Sequence, residues 1–189
     1  MIITSGEFAG IPLLAPKGMD LRPTLGKIRQ AIFNMVRPYL TEQTVCFDFF
    51  AGTGALGLEA LSNGILKTYF IENEYTTYIQ KNTDKLKILP TSFEIIKADY
   101  IGAAALLKKR ALKCDLFFSD PPYNKGFTKN LLKISELRDI FNKDCIVVLE
   151  IFREEVEETI DLLGAFEILK EKRYGETAVI IARVKNTQV

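Results

Sequence analysis

The chain of 189 residues contains no histidine. That single absence excludes His-based catalytic triads, His-containing zinc sites and imidazole general bases. Cysteine is scarce: Cys46, Cys114 and Cys145 form no CxxC pair, and each lies in or beside an apolar run. They read as small core hydrophobes of a reducing compartment, with no metal site and no disulfide expected. No apolar run approaches the roughly 20 residues that a membrane-spanning helix needs. The opening residues lack the basic and apolar regions of a signal peptide, so a cytoplasmic location away from membranes is the expectation. Internal repeats and low-complexity segments are missing too.

What is present suits a globular domain: 48% of the residues are hydrophobic and 26% charged. The net charge of +1 hides an asymmetry. Residues 1–40 carry Lys17, Arg22, Lys27, Arg29 and Arg37 against Glu7 and Asp20, while the remainder is slightly acidic. A basic arm on an acidic body points to a polyanionic partner. The chain therefore divides into an N-terminal basic extension, 1–40, made of a strand or hairpin and a helix, and a main domain, 41–189. In the extension, Thr24 is the expected cap of a helix over 24–37, which Pro38 ends.

From residue 45 onward, strand and helix patterns alternate. Apolar strands are expected at 45–49, 68–71, 93–96, 116–118, 145–150, 166–169 and 178–184. Helices are expected at 55–62, 76–87, 101–111, 128–137 and 154–162. Continuously apolar strands separated by helices imply a parallel sheet covered on both faces, and the last two strands, with only a short connection, imply an antiparallel edge pair. The expected fold is α/β: a Rossmann-like, seven-stranded, mostly parallel sheet with helices on both faces and a short N-terminal extension.

The first strand runs into Asp48-Phe49-Phe50-Ala51-Gly52-Thr53-Gly54-Ala55-Leu56-Gly57, a GxGxxG loop between strand and helix. Glu72 ends the second strand, 20 residues after Gly52, at the spacing of an acid that holds ribose hydroxyls. A nicotinamide oxidoreductase would have this fingerprint. Against it, Asp48 beside the loop would repel a pyrophosphate but favour a cofactor bearing an ammonium and a sulfonium. No second catalytic region follows either, and the fourth strand ends in a different motif.

That motif is Ser119-Asp120-Pro121-Pro122-Tyr123. In an open α/β sheet, ligands bind beyond the carboxyl ends of the strands, so Asp48, Glu72 and Asp120 should line one crevice. Two prolines stiffen the turn and remove two N–H donors. What remains is an edge of acceptors beside an aromatic ring, suited to a planar group bearing an NH₂. Without the loop upstream, the same residues would read as a stiff turn with a packed tyrosine.

DFFAGTGALGLEA, IENE and SDPPY together resemble the S-adenosylmethionine-dependent methyltransferases that modify exocyclic amines. The N-terminal signature Ile3-Thr4-Ser5-Gly6, Gly10, Leu13, Arg22-Pro23-Thr24, Arg29 and Phe33-Asn34 is similar to the bacterial 16S ribosomal RNA guanine-amine methyltransferases of type D. Arg173-Tyr174-Gly175-Glu176-Thr177 fits the same family. The resemblance implies methyl transfer from S-adenosylmethionine to a guanine amine of small-subunit ribosomal RNA, free or in a ribosomal particle. DNA adenine and protein glutamine are the alternative substrates, and a non-catalytic binding module is a further alternative. Carried over by position, Asp48, Ala51, Gly52, Thr53, Gly54 and Gly57 would surround the methionine end of the cofactor. Glu72 would take the ribose hydroxyls and Asp99 the adenine amine. Asp120, Pro121, Pro122 and Tyr123 would hold the target base. Arg22, Lys27 and Arg29 are the candidate phosphate contacts. A branched side chain at Gly54 is expected to fill the space of close cofactor approach. No metal is expected, and a monomer is the simplest assembly.

Overall fold

The computed structural model describes residues 1–17, 23–122 and 126–185, with the backbone alone at 23–25. Arg22, Tyr123 and the side chain of Thr24 lie outside the described residues.

Strands β1 (Val45–Phe49), β2 (Lys67–Glu72), β3 (Phe93–Lys97), β4 (Cys114–Ser119), β5 (Phe141–Phe152), β6 (Phe166–Tyr174) and β7 (Thr177–Val184) form one sheet in the order β3-β2-β1-β4-β5-β7-β6. The first five run parallel. β7 lies antiparallel to both β5 and β6, as the short connection implied. The helices are α1 (Pro23–Val36), α2 (Ala55–Ser62), α3 (Thr76–Lys85), α4 (Tyr100–Lys109), α5 (Phe127–Leu132) and α6 (Val156–Leu162).

The central strands read as unbroken apolar runs because both faces are covered. Phe47, Phe49, Phe117 and Val147 pack with Ala103 and Leu107 of α4, Leu131 of α5 and Val156 of α6. Their neighbours Cys46, Leu116 and Val148 face the other way, toward Ile28 and Ile32 of α1, Leu58 of α2 and Ile79 of α3. Each of the fully buried phenylalanines contributes about 1.5–3 kcal/mol of transfer free energy. The three cysteines are buried and free. Among the described residues, no helix is long and apolar enough to cross a membrane.

The extension shares this core. A bridge pairs Ile2 with Pro12, Ile3 N–H donates to the Ile11 carbonyl at 3.0 Å, and Ile3 and Leu13 join the cluster of α1, α2 and α3.

Three elements depart from the sequence expectation, one of them β6, which is expected at 166–169 and continues to Tyr174. The helix expected over 128–137 stops at Leu132, and a 3₁₀ turn follows at Ser135–Ile140. Ile134 is extended there, which lets Leu137 and Ile140 reach the same core as Leu131. β5 begins at Phe141 rather than 145. The start of this strand is polar: the Asn142 amide donates to Asp115 Oδ1 at 2.7 Å, and Asp144 takes a φ of 61° beside an irregular register with β4.

The chain leaves β1 to build β2 and β3 on one side, then returns to place β4 on the other. The loops after β1 and β4 therefore diverge, and a crevice opens at the carboxyl ends of these strands.

Candidate active site

β1 ends in a turn with three left-handed residues: Phe50 (φ 59°), Gly52 (φ 56°) and Gly54 (φ 85°). The Ala51 N–H donates to the Ile71 carbonyl at 3.1 Å, and α2 begins one residue after Gly54. The glycines have separate reasons. A Cβ on Gly57 would lie 2.4 Å from Phe70 and 2.6 Å from Thr68, so this position sets the close packing of α2 on β2. A Cβ on Gly54 would point at Leu58 and Phe70, both 3.3 Å away. That is the protein interior, which corrects the expectation that Gly54 guards cofactor space. Gly52 lines the cavity, and a Cβ there would meet nothing within 4 Å.

Asp48 is 1% exposed and does not line the cavity. Its Oδ2 accepts from the Gly57 N–H at 2.9 Å, tying β1 to the first turn of α2. Burial pushes this carboxyl up to about 7; the Gly57 N–H opposes the shift and the charge of Glu72 adds to it. Asp48 thus organises the loop from behind. Glu72 fastens it from the side: Oε2 accepts from Gly52 N–H at 2.7 Å, and Oε1 accepts from the Asn73 and Glu74 N–H groups, both at 2.8 Å. Asp99 caps α4, accepting from Gly102 N–H at 2.7 Å.

These elements enclose a cavity of about 870 Å³, of the size that takes a small molecule or cofactor. Ala51, Gly52, Thr53, Glu72, Asp99, Asp120, Pro121 and Pro122 line it. Asp48, Gly54 and Gly57 support it without reaching it. Burial pushes the Asp120 carboxyl well above the usual carboxylate range, with further contributions from Glu150 and Asp48. The wall carries Glu72, Glu74, Asp99, Asp120, Glu150 and Glu176, and no lysine or arginine among the described residues. Despite this acid density, no cluster of ligands among the described residues could hold a metal ion.

The arm residues separate. Lys27 is exposed on α1, one residue before Ile28 of the cavity wall. Arg29 is 5% exposed: its Nε donates to Glu59 at 3.0 Å and its Nη2 to the Ile2 carbonyl. A guanidinium spent on a buried carboxylate is not offered to a phosphate, and this removes Arg29 from the candidate RNA contacts.

Sequence reading missed three parts of the wall. Phe50, Tyr100 and Phe127 meet there with ring centroids 5.4–5.8 Å apart. They come from three distant segments, and no local pattern joins them. The turn Tyr174–Thr177 reaches the cavity because β7 runs antiparallel to β5, placing Thr177 opposite Phe152. Glu150 was legible: it is an acid near the carboxyl end of an apolar strand, as are Asp48 and Glu72.

A sheet of this order, with a glycine loop after its first strand and acids at its carboxyl edge, defines a Rossmann-like fold of the methyltransferase type. A solved structure described as "Putative methyltransferase yhhF from Escherichia coli" has the same fold, with a TM-score of 0.81 over 98% of both chains at 25% identity. The family model described as conserved hypothetical protein 95 matches residues 1–183, and the chain belongs to that family. It is 33% identical over 184 residues to "Putative rRNA methyltransferase YlbH" of Bacillus subtilis (strain 168), covering 96% of this chain and 97% of that protein. It is 27% identical over 177 residues to "Ribosomal RNA small subunit methyltransferase D" of Escherichia coli (strain K12), covering 93% and 86%. These relatives bear out the resemblance to the type D ribosomal RNA methyltransferases.

Proposed function

We propose that this chain transfers a methyl group from S-adenosylmethionine to the N2 amine of a guanine in small-subunit ribosomal RNA. The observation that carries the reading is the acceptor edge Asp120-Pro121-Pro122, which shares one acid-lined cavity with the glycine loop, with no lysine or arginine on its wall among the described residues.

The residues present fit the cofactor. Gly52 leaves open space on the wall, where a side chain would intrude. The surrounding carboxylates favour a ligand with a sulfonium and an ammonium and disfavour a pyrophosphate. The loop Ala51–Thr53 would hold the methionine end, Glu72 the ribose hydroxyls, and Asp99 with Phe50, Tyr100 and Phe127 the adenine. When bound, S-adenosylmethionine supplies a methyl group on a positively charged sulfur.

The chain's own task is positioning and electrostatics. A guanine amine is a poor nucleophile because its lone pair is delocalised into the ring. Asp120 accepts a hydrogen bond from the NH₂ and draws the nitrogen toward tetrahedral geometry. Hydrogen bonds from the amine favour the ionised carboxylate against the burial that disfavours it, and its negative charge then stabilises the positive charge that grows on nitrogen as the N–C bond forms and the S–C bond breaks. The proton then leaves a strongly acidic nitrogen, so no imidazole is needed. Tyr123, next in sequence after Pro122, would stack on the extruded base, and Arg22 and Lys27 would meet RNA phosphates.

The test is transfer of labelled methyl to small ribosomal subunits from cells lacking this protein, followed by mapping. One N2-methylguanine is expected. Asp120→Ala should slow single-turnover transfer by at least about 100-fold, the scale of losing one preorganised polar group, while keeping S-adenosylhomocysteine binding. Label on an adenine amine or on a protein glutamine would refute the reading.

A further inference from the structure

Strand β6 sorts its charges by face. It is the last strand of the sheet, beside β7. Residues directly opposite one another in a ladder share a face. Lys172 pairs with Val179 and Lys170 with Ile181, both members of the core that α1 covers. Tyr174, two residues beyond Lys172, packs against that same core and lines the cavity. Glu171 and Arg173 pair with Ile180 and Ala178, on the face that α6 covers. Their charges are satisfied there: Arg173 Nε donates to Glu171 at 2.6 Å, and its Nη2 lies 3.5 Å from Glu157 of α6. On the α1 face, Glu167 is held by Arg183 at 2.6 Å. Lys170 and Lys172 are exposed and hold no ion pair among the described residues.

Charged residues guard an edge strand against pairing with another chain, and either sign serves for this. The sorting of sign by face is a separate feature. On one side stand the acids at the start of α6: Glu154, Glu155, Glu157 and Glu158. On the other, two lysines about 7 Å apart along the strand lead to Tyr174 at the cavity wall. Lys27 stands exposed on α1, beside Ile28 of the same wall. Glu176, exposed in the turn between β6 and β7, is where this strip meets the acids of the cavity. We propose that Lys170 and Lys172, with Lys27, form the track on which the ribosomal RNA strand flanking the target nucleotide lies, their ammonium groups against its phosphates. This rests on the ribosomal RNA reading above. A strand laid on the α1 face meets cations up to the cavity mouth, whereas on the α6 face it would meet four glutamates. The track lies outside the cavity, so the phosphates stay clear of the acid wall while the base enters. Lysines in this role position the backbone and read no sequence.

The probe is the small ribosomal subunit from cells lacking this protein, bound to protein saturated with S-adenosylhomocysteine across a salt series. Lys170→Ala combined with Lys172→Ala should weaken binding by about 10-fold or more at low salt. It should flatten the log–log salt slope by about 1.4–1.8, two phosphate contacts at about 0.7–0.9 each. Lys170→Glu combined with Lys172→Glu keeps the edge strand guarded by charge and should weaken binding further. Both double variants should melt and bind S-adenosylhomocysteine as the wild type does, because the two side chains are exposed and unpaired among the described residues. The control is Lys109→Ala combined with Lys113→Ala, exposed lysines at the end of α4 and just before β4. It removes the same net charge and should keep the wild-type slope. A wild-type slope in the folded Lys170→Ala, Lys172→Ala protein would overturn the track. Equal flattening in the control would overturn it too, because the attraction would then belong to net charge. Lost melting or cofactor binding in both β6 double variants would overturn it in favour of a structural role. Wild-type protein that methylates DNA adenine or a protein glutamine and not the small subunit would overturn the functional reading and the track with it. An unchanged slope beside normal wild-type transfer to the small subunit would overturn the track alone.

Discussion

Gly52 and Gly54 stand two residues apart in one loop and carry different burdens. Both have left-handed backbones, so any side chain costs about 1–2 kcal/mol in strain. Only Gly54 would also drive its side chain into Leu58, Phe70 and Ile79. Gly54→Val should therefore lose much of its thermal stability, with cofactor binding falling as a consequence. Gly52→Val should fold with a modest loss and bind S-adenosylhomocysteine far more weakly. Melting temperature and binding calorimetry on both variants separate the two. A Gly54→Val protein with wild-type melting and no binding would return Gly54 to the cavity wall. Asp48 makes a different residue-scale prediction. Its carboxyl titrates at about 7 in the folded chain against an ordinary 3.8. Between those values the folded state holds a proton that the unfolded state has released. The associated stability is full below pH of about 4 and is lost as pH rises toward 7. Asp48→Asn keeps an acceptor for Gly57 N–H and removes the titration, so its stability should fall less steeply over that window. Urea midpoints across pH decide this; identical slopes would mean the carboxyl titrates normally.

At the scale of elements, the extension is fastened by Glu59 of α2, which is fully buried. It accepts from the N–H and hydroxyl groups of Thr4 and Ser5 at 2.6–2.9 Å and from Arg29 of α1. Gly6 seals the same contact, since a Cβ there would lie 1.9 Å from the Ser62 carbonyl oxygen. Arg29→Ala strands a buried carboxylate, a change that costs about 3–5 kcal/mol. It should lower the melting temperature by roughly 10 °C and leave the salt dependence of RNA binding unchanged. Lys27→Ala should do the reverse: unchanged melting, and a log–log salt slope flatter by about 0.7–0.9 if Lys27 meets one phosphate. A flattened slope in a stably folded Arg29→Ala protein would put that arginine back at the RNA. The contrast explains what was legible beforehand. Elements were, because doubly covered strands leave long apolar runs, and so were acids that close such strands. Arg29 was not: its partner lies 30 residues away and reads as an ordinary helix charge. The start of β5 was hidden for a related reason, since Asn142, Lys143 and Asp144 break the apolar pattern within the strand. The aromatic group on the cavity wall is assembled only by the fold, from β1's loop, α4 and α5.

Over the whole molecule, charge is arranged in two zones. The net charge is +1, yet the described cavity wall bears six carboxylates and no cationic side chain. A polyanion arriving at this protein is therefore attracted by residues outside the cavity, and only a neutral base amine or a cationic cofactor is favoured within. The same arrangement discriminates between the two cofactors that a GxGxxG loop followed by an acid could serve. NAD would bring a pyrophosphate toward Glu72 and Glu74 with no lysine or arginine on the described wall to offset it. S-adenosylhomocysteine brings no phosphate: under the proposed assignment its amino-acid end lies at Ala51–Thr53, its ribose at Glu72 and its adenine at Asp99. At about 100 times its dissociation constant, a ligand that binds only the folded state stabilises it by about 2.7 kcal/mol. For a chain of this length that raises the melting temperature by roughly 5–10 °C. S-adenosylhomocysteine should produce such a shift, while NAD at the same concentration should produce none. Added salt should weaken S-adenosylhomocysteine binding only mildly, because the cavity is recessed and its charges are poorly screened. A shift with NAD and none with S-adenosylhomocysteine would mean that the glycine loop serves redox chemistry after all. The acid wall would then need a cation that the described residues do not supply.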